Sequence, residues 1–134
     1  MIGPLFKPDL RSIRKHKCSE WFHDAKFGIL VHWGLYSVPG WAPLTGELME
    51  VVSKWGWEFW FTNNPYAEWY FNSMRIRGSP THHYHLKIYG EGFSYDRFAQ
   101  TFNQESKRWN PREWAELFKR AGAQYGKRIS SLCD

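Results

Sequence analysis

Residues 25–41 hold the side chains best placed to do chemistry. An apolar run from Phe27 to Val31 ends in His32-Trp33-Gly34. Apolar residues closed by glycine suit a strand buried on both faces. A histidine with an indole beside it, at the carboxyl end of such a strand, stands where barrel and doubly wound enzymes place ligand-contacting groups. His32 therefore has two readings, a hydrogen-bonded core histidine or a ligand contact. His82, His83 and His85 could offer three imidazoles to a metal such as zinc. No fourth ligand stands at a recognised spacing, and Gly78 and Pro80 place the run in a loop, so solvated loop histidines are the better reading. Cys18 has no partner His or Asn at a known spacing and is not a nucleophile. Glu113 and Glu116 suit the start of a helix, where a carboxylate favours the dipole. Glu91 and Asp96 flank a turn. Glu68, on residues alone, reads as a surface charge.

The elements that must position these groups follow from spacing. Ser19 can cap a short turn presenting Trp21, Phe22 and Ala25 ahead of a strand over 27–31. A long aromatic loop then runs from Gly34 to about Tyr66, interrupted by Pro39, Gly40, Pro43, Gly46 and Gly56. Its Trp55, Trp57, Phe59 and Trp60 are expected to fold it against the body of the domain. A short helix is expected around Ala67–Met74, and an irregular stretch over Arg75–Leu86. Tyr95, Phe98, Ala99 and Phe102 recur at helical spacing, giving a helix near 94–103. In the next helix, 110–121, Asn110 is the N-cap, Pro111 fills the first position and Glu113 the third. Trp109 and Trp114 form a hydrophobic staple, while Trp114, Leu117, Phe118 and Ala121 form the buried stripe, and Gly122 ends the helix. Ala123-Gln124-Tyr125 opens a second strand, completing a βαβ unit.

Composition bounds the function. The chain has 134 residues, room for one small domain but about half of the ~250 that a complete (β/α)8 barrel uses. Aromatic residues make up 19%, with nine Trp, a density that serves either a packed core or the stacking of flat ligand faces such as sugars. The net charge of +5 is concentrated in Lys7–Lys17 and Lys107–Arg128. Charge of this kind invites a nucleic-acid partner, but no DNA- or RNA-binding motif accompanies it, so none is assigned. Cys18 and Cys133 do not make a disulfide framework. No stretch approaches the ~18 apolar residues of a membrane span, and residues 1–17 hold no apolar core of signal-peptide length. As given, the sequence reads as cytoplasmic, with no membrane partner.

The wording of four separated blocks adds a specific resemblance. Trp21-Phe22-His23-Asp24-Ala25-Lys26-Phe27-Gly28-Ile29-Leu30-Val31-His32-Trp33-Gly34-Leu35-Tyr36-Ser37-Val38-Pro39-Gly40-Trp41 is followed by Pro65-Tyr66-Ala67-Glu68-Trp69-Tyr70, then Phe93-Ser94-Tyr95-Asp96-Arg97-Phe98-Ala99, then Trp109-Asn110-Pro111-Arg112-Glu113-Trp114 through Ala121-Gly122-Ala123-Gln124-Tyr125. In this order they resemble the amino-terminal part of the α-L-fucosidases of glycoside hydrolase family 29, over about residues 19–125. The resemblance implies an α/β fold, the amino-terminal portion of a TIM-type barrel, incomplete here. It implies a retaining hydrolase of fucosylated carbohydrate that uses no cofactor and no metal. Two carboxylates about 5 Å apart do that chemistry, one as nucleophile and one as acid/base. The family carries both on strands beyond Tyr125, so no catalytic residue is assigned in this chain. Carried over by motif, the substrate-binding residues are His32, Glu68 and Trp69. The carboxylate would accept hydrogen bonds from two sugar hydroxyls, the indole would pack on the apolar C–H face and methyl, and the imidazole would donate to a hydroxyl.

The resemblance breaks after Tyr125. The family continues with an apolar strand and paired histidines, whereas this chain reads Gly126-Lys127-Arg128-Ile129-Ser130-Ser131-Leu132-Cys133-Asp134. Glycine, two cations and two serines are not expected to form a buried strand. Three segments are thus expected: a basic lead-in over 1–18, the glycosidase portion over 19–125, and a divergent tail over 126–134 of the kind a truncation or frameshift leaves. Two other readings stay open, a non-catalytic carbohydrate-binding remnant and a basic nucleic-acid-binding protein.

Overall fold

The computed structural model of the chain describes residues 7–129. Among them, two short parallel strands are joined by a long and mostly helical excursion. Helices α1 (Leu10–Ile13) and α2 (Glu20–Ala25) precede strand β1 (Gly28–His32). The strand lies one residue later than the apolar run suggests, which makes His32 its last residue. Ser19 occupies the N-cap of α2, but its hydroxyl makes no capping bond. Only its carbonyl serves the helix, accepting from the Phe22 amide at 3.0 Å.

The excursion corrects two expectations. The stretch expected to be one irregular loop contains α3 (Leu48–Thr62). Leu48, Met49, Glu50 and Lys54 are good helix formers, and their preference outweighs the punctuation at Gly46 and Gly56. Gly56 does interrupt the helix, with φ 80° and ψ 172°, so two helical segments meet at a kink that only glycine adopts without strain. The aromatic residues of α3 do not all fold inward. Trp60 is buried, but Trp55, Trp57 and Phe59 lie on the exposed side. After a 3-10 turn at Ala67–Trp69 comes α4 (Tyr70–Met74), where a short helix was expected. The second correction is α5 (Pro80–Tyr89), in place of irregular chain. Its start signal is Ser79-Pro80. The Ser79 hydroxyl accepts from the His82 amide at 3.0 Å and donates to the Ser73 carbonyl at 2.7 Å, and proline takes the first helical position, where no amide donor is needed.

The last two helices follow their periodicity. A 3-10 turn at Tyr95–Arg97 leads into α6 (Phe98–Glu105), two residues past the expected end at Asn103. Helix α7 (Pro111–Arg120) opens as its capping residues require. The Asn110 side-chain oxygen accepts from the Arg112 amide at 3.1 Å, and its side-chain amide donates to Glu113 Oε1 at 2.9 Å. The rings of Trp109 and Trp114 close the staple, with centroids 5.5 Å apart. The helix ends in a Schellman motif. Gly122, at φ 85°, donates to the Lys119 carbonyl, and Ala123 donates to the Phe118 carbonyl, each at 3.0 Å. Of the stripe expected to be buried, Trp114 and Phe118 are half-buried, while Leu117 and Ala121 are exposed.

Strand β2 (Tyr125–Ile129) pairs in parallel with β1, in register from Gly28 opposite Tyr125 to His32 opposite Ile129. It runs past Tyr125, where composition gives no reason for a buried strand, because backbone pairing with β1 is enough to extend it. Gly126 and Lys127 are exposed, so Lys127 keeps its hydration in the strand. Nor is β1 buried on both faces as expected. Leu30 is exposed, and among the described residues β1 pairs with β2 alone. The core lies in the excursion. Tyr36, Tyr70, Tyr95 and Phe98 form its buried cluster, and much of the aromatic content packs around them. The tail beyond Ile129, Cys133 included, and the first six residues of the lead-in lie outside the described residues.

Candidate functional site

His32 ends β1, and its backbone is fixed by the pairing with β2. Two residues on, Gly34 turns the chain into the 3-10 turn Leu35–Ser37, whose Tyr36 is anchored in the core. Glu68 and Trp69 sit in the turn Ala67–Trp69, which packs against that first turn. The approach to Glu68 is held by Asn64, a buried residue whose side-chain oxygen accepts from the Tyr66 amide at 2.9 Å. The Tyr66 carbonyl then accepts from the Trp69 amide at 3.0 Å. Just after Trp69, Tyr70 enters the same core as Tyr36. Two segments remote in sequence are thus tied to one cluster of rings.

The consequence is a contact between His32 and Glu68. Nδ1 of His32 lies 3.4 Å from Oε1 of Glu68, with the side chains 42% and 32% exposed. The pair is close and partly open to solvent, the condition a polar ligand needs. An imidazole that gives its Nδ1 proton to a carboxylate presents Nε2 as an acceptor when neutral and as a donor when protonated. The carboxylate keeps acceptor capacity on its second oxygen. Trp69 is half-buried, with its ring 5.9 Å from that of Phe61 on α3. Next to His32 in the chain, Trp33 packs among Phe102, Trp109 and Trp114 with centroid separations of 5.3–5.7 Å. Cavities of about 290 and 340 Å³ adjoin this cluster, one toward α6 and one between the strands and α7.

The three candidate histidines separate. His83 is exposed and His82 half-buried, both on α5 and not in a loop. His85, expected to be solvated, is 4% exposed and belongs to the core. Its Nδ1 lies 3.0 Å from the Tyr70 hydroxyl and its Nε2 lies 2.7 Å from the Phe93 carbonyl. Burial, with Tyr89 and Tyr84 nearby, pushes the Tyr70 hydroxyl far above its ordinary range. Sequence reasoning missed this pair. The available signal was Ser79-Pro80, which starts a helix and so puts His82 and His85 on its inner turns. Among the described residues, no three His, Cys, Asp or Glu side chains are grouped to hold a metal ion. No helix there is long and apolar enough to cross a membrane.

Comparison with known proteins gives a family. The model of the α-L-fucosidase family matches residues 3–131. The tissue α-L-fucosidase of Rattus norvegicus is 36% identical over 120 residues, covering 90% of this chain and 21% of the relative. The tissue α-L-fucosidase of Homo sapiens is 32% identical over 121 residues, covering 90% and 20%. Among solved structures, a Thermotoga maritima α-L-fucosynthase in complex with a fucosyl-fucose azide matches with a TM-score of 0.78 and 54% identity, over 93% of this chain and 27% of that one. The Thermotoga maritima α-fucosidase in complex with fucose matches with a TM-score of 0.72 and 50% identity, over 92% and 26%. The chain therefore spans about a fifth of the curated relatives' length and about a quarter of the solved structures.

Proposed function

We infer, for a chain that belongs to the α-L-fucosidase family, that residues 19–125 are the amino-terminal part of a TIM-type barrel and carry one wall of a pocket for terminal α-L-fucose. The observation that supports this most is the approach of His32 and Glu68 at 3.4 Å, with Trp69 next in the chain. A carboxylate and an imidazole side by side match adjacent sugar hydroxyls, and charge-assisted hydrogen bonds of this kind are strong and directional. The indole of Trp69, next in the chain, would cover the apolar face that fucose presents through its C–H groups and its methyl. Two such interactions with opposed chemistry orient the ring as well as binding it.

Retaining hydrolysis needs a nucleophile and a proton donor about 5 Å apart. Neither is assigned to this chain. His32, Glu68 and Trp69 bind and orient fucose, while the family's catalytic carboxylates belong to later strands. Calorimetric titration with L-fucose tests the assignment. The chain should bind L-fucose, Glu68→Gln should weaken binding by roughly tenfold or more, and Glu113→Gln should leave it unchanged. Equal binding by the Glu68→Gln variant would contradict it.

A further inference from the structure

We propose that Tyr70 and His85 form a buried pin that holds Glu68 in place beside His32, together with Trp69, the next residue in the chain. Its bearing on fucose affinity rests on the reading of the site given above. The Phe93 carbonyl can only accept, so the Nε2 atom 2.7 Å away carries the proton. His85 Nδ1 is then a lone pair, and the Tyr70 hydroxyl at 3.0 Å donates to it. The chain of bonds has one direction, from Tyr70 to His85 to Phe93, and every buried polar atom in it is met. Tyr70 is 1% exposed and His85 4%, so neither can turn to water for a replacement partner. A phenol kept protonated by burial is a donor throughout the ordinary pH range.

Position turns this link into a positioning device. Tyr70 immediately follows Glu68-Trp69, and the turn that holds them is short. Upstream, the same segment is fixed by the Asn64 side chain accepting from the Tyr66 amide. Between these two ties lie only Ala67, Glu68 and Trp69. Tyr70 also packs against Tyr95 and Phe98, and His85 against Tyr89 and Phe93, so the pin fixes the segment to α5 and α6 together. Tyr70 and His85 are positioning residues, acting through Glu68 and Trp69.

Three readouts on the 134-residue chain test this. Side-chain nitrogen NMR of the wild-type chain should show His85 with its proton on Nε2. An Nδ1-protonated ring would overturn the pin without any variant being made. In Tyr70→Phe, which keeps the ring and removes one hydroxyl, amide exchange over 66–70 should quicken by about tenfold while α7 keeps its protection. Unchanged exchange over 66–70, or a uniform rise along the chain, would overturn it. Should that variant unfold, His85→Gln, which keeps a donor for the Phe93 carbonyl, carries the same comparison. The double variant should be no worse than the more affected single, because both remove one unit. L-fucose affinity should fall by about tenfold in Tyr70→Phe, measured well below the melting temperature. A wild-type chain that binds no L-fucose would sink the fucose reading and leave the pin to be decided by exchange.

Discussion

His32 ends β1 and Glu68 stands midway along the excursion, yet they meet with Nδ1 and Oε1 3.4 Å apart. The contact depends on two anchors, Tyr36 and Tyr70, which share one buried cluster. With the two side chains 42% and 32% exposed, the pair contributes little to folding. Partly exposed ion pairs are worth about 0.2–1 kcal/mol. Glu68→Gln should therefore leave the melting temperature within about 3 °C of wild type while L-fucose binding falls, which thermal melts and titration will check together. A large loss of stability would mean that Glu68 is structural.

Alkaline pH should destabilise the chain through Tyr70. Its hydroxyl ionises well above the ordinary value of 10.0 because it is buried. Above about pH 10 the unfolded chain loses this proton and the folded chain keeps it. The unfolded state then binds fewer protons, so stability falls as pH rises, by up to about 1.4 kcal/mol per pH unit for one group. Below pH 10 the contribution is fully present. Urea melts from pH 9 to 11.5 should show this slope, and Tyr70→Phe should reduce it. Tyr89, shifted in the same direction by burial, leaves a residual slope.

Gly28 is expected to resist substitution for want of space. A methyl group added there would run into the Tyr125 ring, which lies across it from the paired strand. That ring packs on Phe22 and Trp21, with centroids 5.4 and 6.2 Å away. Gly28→Ala should push the Tyr125 ring off α2 and cost about 1–3 kcal/mol. Denaturant melts read the loss, and the double variant Gly28→Ala/Tyr125→Ala should recover part of it.

Capping at α7 gives a milder test. Asn110→Ala removes the bond to the Arg112 amide and the one to Glu113, and should cost about 1 kcal/mol. Asn110→Ser, which restores a capping oxygen, should recover most of the loss in the same melts.

Much of this was legible in the sequence, for identifiable reasons. The α7 helix is signposted at both ends, by Asn110-Pro111 and by Gly122, and the structure follows those signals, although Leu117 and Ala121 of its expected buried stripe are exposed. The run at 27–31 gave β1 to within one residue because apolar continuity closed by glycine is a strong pattern. Two helices were not legible. In α3, prolines and glycines mark a loop by their type, yet only Gly56 falls inside the helix and it merely kinks it. In α5, Gly78 and Pro80 suggest a loop, although a proline after Ser79 is equally a helix start. Reading α5 as loop hid His85, whose burial comes from Tyr70 and Phe93, residues that spacing does not bring together. The approach of His32 and Glu68 is likewise a tertiary fact. Motif resemblance alone placed them in one site.

Hydrolysis separates binding from catalysis. The purified 134-residue chain should release no p-nitrophenol from p-nitrophenyl α-L-fucoside above background, because the family's two carboxylates are not assigned to it. Turnover that disappears on substituting a carboxylate of this chain would reveal a catalytic pair here.

The central claim is that His32, Glu68 and Trp69 make one fucose-binding wall. Titrating the isotope-labelled chain with L-fucose, and following backbone amides and the Trp69 indole by NMR, tests it most directly. Saturable shifts are expected at His32, Glu68 and Trp69, with α7 silent, and no response to D-glucose at equal concentration. Shifts confined to residues remote from these three, or equal responses to both sugars, would contradict it.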